Sequence, residues 1–241
     1  GFESLYQIAT GAGGGGCGAS IAPYGGAGRP GVGWRDEVFP IVLHITDATS
    51  HSGGPGGAYS GAGVSRATAI SALQEDQISV IGIWSDDDSG ARNQLRQTAL
   101  DTGAVVPTCA WDGSRPGGCG AGQCCTGRNG RGESPSGGQC PLVFDVDDNG
   151  NGLGSAVIDA VEALVNTTTL DVTTRVRRDE DDFIETGVDS RCFINAVIPN
   201  RFELPGSCST SPSAADINPA DGVFDSYVNV TPGTQLFFDV F

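Results

Sequence analysis

The apolar positions of the chain follow two regimes. Up to about residue 165, continuous apolar runs alternate with stretches in which apolar residues recur every three or four positions. Residues 1–9 place Phe2, Leu5, Tyr6 and Ala9 on one helical stripe. Residues 39–46, FPIVLHIT, are apolar without interruption and β-branched, which predicts a strand buried on both faces. Residues 78–84, ISVIGIW, predict a second such strand. Between them, 65–74 predicts a short helix capped by Ser65 with Ile70 and Leu73 inward. A further helix, capped by Ser89 and stopped by Gly103, runs through Leu100 with Ala91, Leu95 and Ala99 on one face. Ala104–Pro107 predicts a short third strand and 141–146, PLVFDV, a fourth. A helix over 153–165 carries Val157, Val161 and Leu164. Strands alternating with helices predict an α/β fold, a parallel sheet with helices on both faces.

Past residue 165 the period changes to two. Leu170, Val172, Thr174 and Val176 alternate with polar neighbours, as do Phe193, Asn195 and Val197, and the chain closes on QLFFDVF. These predict antiparallel strands of a second, β-rich module over 166–241. Gly-rich loops are expected at 11–33 and 50–63, and a solvated acidic turn at Asp179–Asp182.

Composition narrows the function. The formal charge is −16, which argues against nucleic acid or an anionic membrane as partner, because phosphate contacts need clustered Lys and Arg. All 13 basic residues are Arg, so a Walker phosphate loop, a Schiff-base lysine and a kinase lysine are excluded. No G-x-S-x-G elbow occurs, and His44, one of two histidines, reads as a core residue of its strand; the chain is not expected to be an enzyme. No membrane span is visible in the sequence. With no Met and Gly at position 1, a processed or partial product of something longer is expected.

Eight cysteines point to an oxidising compartment, hence a secreted or cell-surface protein. Cys109, Cys119, Cys124, Cys125 and Cys140 fall in an insertion, 108–140, that lacks His and the paired CxxC spacing of structural zinc. A disulfide-stapled loop is expected there. Cys192 and Cys208 read as a local pair, and Cys17 as a partner for the stapled loop or for something outside this chain.

Three acidic features could hold a divalent cation, Mg²⁺ or Ca²⁺. Asp47 follows the strand 41–45 directly, in HITDATSHS. Ligands of open parallel sheets bind beyond the carboxyl ends of the strands. Thr46, Thr49, Ser50 and His51 stand beside Asp47 as ligand-binding candidates, the alternative being an Asx turn. Asp145, Asp147 and Asn149 match the first half of an EF-hand loop, but Ala156 stands where the bidentate Glu belongs, and a polar turn capping the next helix is the competing reading. Asp216, Asn218, Asp221 and Asp225 are spaced like a short extracellular calcium loop.

GFESLYQIA, GVGWRDEVFPIVLHITDATSH, VIGIW and ARNQLRQTALDTGAVV together resemble a von Willebrand factor A domain, closest to the I-like domain of integrin β subunits. Gly33–Trp34–Arg35 with Thr46, Asp47, Ala48 and His51 carries the resemblance, which covers residues 1–165. It implies a Rossmann-like sheet with a metal-ion-dependent adhesion site on its upper edge, approached by Asp47. The family's D-x-S-x-S loop and three of its strands have no counterpart in this chain, so an upstream segment or neighbouring subunit is expected to complete the domain. The segment 226–240 resembles the opening strands of an immunoglobulin-like module. The implied function is adhesion: a protein or glycan ligand recognised through a divalent cation. The alternative is a structural subunit of an extracellular filament, surface layer or adhesin stalk, stiffened by calcium and disulfides.

Overall fold

The computed structural model describes the chain except residues 17–18, 26–29, 36–37, 54–62, 86–87, 112–117, 175, 177–186, 188, 207 and 217–223; of Cys192 it describes the backbone. The Cys17, Asp179–Asp182, Asn218 and Asp221 readings therefore lie outside the described residues, as does any pairing made by the Cys192 thiol. The chain divides into two units, Gly1–Glu162 and Ala163–Phe241.

The first unit opens with α1 (Phe2–Thr10), whose stripe of Phe2, Leu5 and Ala9 is buried. Gly11 ends it in the left-handed conformation, its N–H returning to the Gln7 carbonyl. The Gly-rich stretch folds into a small antiparallel hairpin, β1 (Gly14–Gly16) with β2 (Ala19–Ile21), and a single turn, α2 (Pro30–Gly33). Trp34 then donates its indole N–H to the Ile8 carbonyl at 3.1 Å, seating the Gly33–Trp34–Arg35 segment on α1.

β3 (Ile41–Thr46), α3 (Arg66–Glu75), β4 (Ser79–Trp84), α4 (Ser89–Asp101), β5 (Val105–Pro107), β6 (Gln139–Pro141), β7 (Val143–Asp145) and α5 (Leu153–Thr167) follow. Ser65 caps α3 by accepting the Thr68 amide. β3, β4 and β7 form a parallel sheet in the order β3-β4-β7. Phe2, Leu5 and Ala9 of α1 pack with Ala69, Ile70 and Leu73 of α3 over Val42 and Val80. α4 lies close enough to β4 that a Cβ on Gly82 would meet the Leu95 Cβ and the Val143 Cγ2 at 3.0 Å each. Any side chain at this position of β4 needs Leu95 and Val143 to give way by a few tenths of an ångström.

Five expectations need correction. β4 is buried at every position, whereas β3 pairs with β4 alone among the described residues and is half open, with Leu43 at 36% and Ile45 at 52% exposure. A continuous apolar run marks a strand suited to a sheet interior, but its neighbours are supplied by other segments. Residues 105–107 do not join the parallel sheet; β5 pairs antiparallel with β6. The run 141–146 is two strands with Leu142 between them, because the Leu142 amide bonds to Ala104 on one side of the break and β7 turns to β4 on the other. Asp88, not Ser89, caps α4, a carboxylate being placed to accept the Gly90 amide. In α5, Ala156 and Ala160 are buried and Val157 and Val161 half-buried, one position off the expected stripe; Leu164 is buried as read.

The cysteine insertion is a disulfide-stapled loop, with Cys119–Cys125 and Cys124–Cys140 bonded. Cys109 and Cys208 are disulfide-bonded as well. Backbone bonds between Cys124 and Glu133 close the loop, and Glu133 takes the Arg92 guanidinium of α4 at 2.6 Å. Arg92 in turn lies 5.2 Å over the Trp84 ring. The staple thus holds α4 against the carboxyl end of β4.

The second unit is built from two antiparallel sheets. β8 (Leu170–Thr173), β10 (Ser213–Ala215) and β11 (Ser226–Val230) run in the order β10-β11-β8, and β9 (Val197–Glu203) pairs with β12 (Gln235–Val240). Phe193 and Asn195 precede β9 instead of belonging to it, Phe193 closing a 3-10 turn. Tyr227 is buried edge-on to Phe202 and Phe238, at 6.2 and 5.3 Å between centroids.

Candidate functional site

Thr46 ends β3 by turning the chain back on itself. Its hydroxyl donates to the Ala48 carbonyl at 2.8 Å and accepts the Ala48 amide at 3.2 Å. This local turn leaves Asp47 exposed, and among the described residues nothing hydrogen-bonds its carboxylate. Two residues on, Thr49 donates to Asp88 Oδ2 at 3.1 Å, which ties the loop after β3 to the loop after β4. Asp88 is held below the usual carboxylate range by the Gly90 amide first and the Thr49 hydroxyl second. Ser50 is clamped on both backbone groups by Gln94 of α4, its amide donating to Oε1 at 2.7 Å and its carbonyl accepting from Nε2 at 3.1 Å.

A cleft of about 630 Å³ opens beneath these loops, between α1 and β3. Thr46, Thr49, Ser50 and His51 all line it, so four of the expected ligand-binding residues converge on one cavity. Phe2, Leu5 and Ile8 of α1 form its apolar wall, and Val42–Thr46 run along the other side. His44 reaches into it with Nε2 at 3.5 Å from the Ser50 hydroxyl, while Nδ1 is buried with no partner among the described residues. Burial, reinforced by the positive charge of the chain's first amine, pushes His44 below its ordinary pKa, so the imidazole is neutral at pH 7. Glu3 closes one end, accepting the Gln7 side-chain amide and the Val64 backbone amide, each at 2.9 Å.

The other acidic features sit elsewhere. Asp145 ends β7 and accepts the Arg128 Nε at 3.0 Å. Asp147 accepts the Asn151 side chain at 2.7 Å and the amides of Asn149 and Asn151, which lowers its pKa and makes a closed Asx-type turn before α5. Asn149 is exposed beside it. In the second unit Asp225 accepts the Ser226 hydroxyl at 2.7 Å, and Asp216 Oδ1 is buried without a partner among the described residues. Among the described residues, no three His, Cys, Asp or Glu side chains gather as a metal-binding group.

The residue that sequence reasoning missed is Asp88. Its signal was present: it stands at the end of an acidic run after β4, just as Asp47 stands after β3. A search against protein-family models, curated proteins and solved structures finds no match to this chain. Among the described residues, no helix is long and apolar enough to cross a membrane, and the disulfides fit an extracellular protein.

Proposed function

We propose that the chain is an extracellular or cell-surface binding protein whose first unit follows a von Willebrand A plan and recognises a protein or glycan ligand through a divalent cation. The observation that carries this reading is the exposed, unengaged carboxylate of Asp47 at the carboxyl end of β3, beside the Thr49–Asp88 pair. Asp47, Thr49, Ser50 and Asp88 offer oxygen donors and no thiolate stands among them, which suits Mg²⁺ or Ca²⁺ and disfavours thiolate-seeking metals. Asp47 and the Thr49 and Ser50 hydroxyls would supply part of the six or more oxygens such an ion takes, and the ligand's own carboxylate another. The second reading, a structural subunit of an extracellular assembly, is favoured by a different feature, the half-open β3.

Titration with Ca²⁺, Mg²⁺ and Mn²⁺ in a calorimeter tests the first reading without a ligand in hand. One ion should bind with a Kd on the order of 10⁻⁴ to 10⁻³ M, the range of extracellular sites. Asp47→Ala should abolish that binding and leave the far-UV circular dichroism unchanged. Equal affinity in the variant, or no binding by the parent chain at 10 mM metal, would overturn it.

A further inference from the structure

We infer that the stapled insertion positions the loop after β3, acting through Glu133 and α4, an inference that rests on reading that loop as part of a cation site. Three contacts in series carry it. The Cys124–Cys140 bond and the two backbone bonds between Cys124 and Glu133 hold the Glu133 main chain. Its carboxylate takes the Arg92 guanidinium at 2.6 Å, both side chains being mostly buried at 26% and 24% exposure, and reaches Arg96 at 4.0 Å. Arg92 and Arg96 stand one turn apart on α4, with Gln94 between them. Gln94 holds both backbone groups of Ser50, at 2.7 and 3.1 Å, and Asp88, capping the same helix, takes the Thr49 hydroxyl.

Ala91, Leu95 and Ala99 seat α4 on the sheet, but apolar contact has no direction of its own. The setting of the helix along and about its axis is fixed by directional contacts: the Arg92–Glu133 pair and the stack of Arg92 on the Trp84 ring at 5.2 Å. Gln94 follows Arg92 by about 3 Å of helix, so whatever holds one holds the other. The loop has little to hold itself. Its Thr46–Ala48 bonds are local, and the Thr49–Asp88 bond is exposed. The tolerance of a cation site is narrow, since Ca²⁺ takes oxygens at about 2.3–2.6 Å and Mg²⁺ at about 2.0–2.1 Å. A small displacement of α4, carried through Gln94 to Thr49 and Ser50, is enough to cost affinity. Glu133 touches neither residue and acts as a positioning residue.

The readout is hydrogen–deuterium exchange of the Ser50 amide in EDTA, which needs no cation, with Ca²⁺ calorimetry beside it. Gln94→Leu removes the acceptor of that amide and should speed its exchange at least tenfold. Glu133→Gln should speed it at least threefold and weaken Ca²⁺ binding by a similar factor, with circular dichroism and exchange over β4 unchanged. Arg92→Gln should do the same, and the double variant little more than either alone, because both break one pair. Ser50 exchange unmoved by Glu133→Gln or by Gln94→Leu, a rise shared equally by β4, or full additivity of the Glu133 and Arg92 variants would each overturn the proposal. A parent chain that binds no Ca²⁺ while Ser50 exchange responds as stated overturns the cation reading alone and upholds the positioning.

Discussion

Gly82 sits in the middle of β4, where glycine ordinarily weakens a strand. By propensity alone, Gly82→Ala should stabilise the protein by about 0.4–1 kcal/mol, through lower entropy of the unfolded chain. The packing predicts the opposite. An added Cβ meets the Leu95 Cβ and the Val143 Cγ2 at 3.0 Å and the Leu95 Cδ2 at 3.4 Å, so side chains on two elements must shift together to admit it. Overpacking of this kind costs about 1–3 kcal/mol, so a net loss of roughly 1–2 kcal/mol is expected, or a drop of about 2–8 °C in Tm for a chain of this size. Urea unfolding followed by tryptophan fluorescence is the assay, since Trp34, Trp84 and Trp111 all lie in the first unit. The mechanism is tested by a cycle with Leu95→Ala, which alone should cost about 2–5 kcal/mol. If Leu95 is the obstacle, the double variant is more stable than the sum of the two losses by about 1 kcal/mol or more. A neutral or stabilising Gly82→Ala, or strict additivity with Leu95→Ala, would refute the argument.

Three further outcomes are expected. His44 has its folded-state pKa pushed below 6.5, so the unfolded chain binds a proton that the folded one refuses. Stability is therefore full above pH 6.5 and declines as pH falls from there toward the folded value; His44→Gln should flatten urea midpoints between pH 8 and 5 relative to the parent, and parallel curves would contradict this. Replacing both Cys124 and Cys140 with Ser opens a link spanning 16 residues and should lower unfolding stability by about 3 kcal/mol by equilibrium denaturation. Ser65→Ala removes the acceptor for the Thr68 amide at 3.1 Å and should cost about 1 kcal/mol in the same measurement, against a few tenths for Ser65→Gly.

The helices of the first unit were legible because each carries its own record of which side is buried: Phe2, Leu5 and Ala9 in α1, Ile70 and Leu73 in α3, Ala91, Leu95 and Ala99 in α4. Strand β4 was legible for the same reason. What a local pattern does not hold is partnership. IVLHIT and SVIGIW read alike, yet among the described residues SVIGIW is flanked on both sides and IVLHIT on one. Nor does VVP announce that Gln139–Pro141 will claim it across a loop of more than thirty residues. Of the candidate site, the convergence of Thr46, Thr49, Ser50 and His51 followed from their place after a strand, because every such loop leaves the sheet at the same end. Asp88 was missed because its capping role and its bond to Thr49 depend on how two loops 39 residues apart meet. At Asp147 one sequence carries both a turn pattern and a half EF-hand pattern, and the Asn151 side chain that bonds to its carboxylate is four residues away, within the span of either.

The adjacency of Cys124 and Cys125 bears on how the chain first acquires its covalent form. Cys119 is five residues from one and six from the other, and the entropy of closing loops of such similar length differs negligibly. Newly oxidised chains therefore divide between a Cys119–Cys124 staple and the native Cys119–Cys125 staple. Only the second leaves Cys124 to reach Cys140 on β6. Progress from one to the other is thiol–disulfide exchange between neighbouring sulfurs, which takes seconds to hours according to the oxidant and isomerase present. The chains that first close Cys119–Cys124 thus reach the native insertion only by reshuffling, and their share of the yield is set by the exchange chemistry of the compartment in which the protein is made.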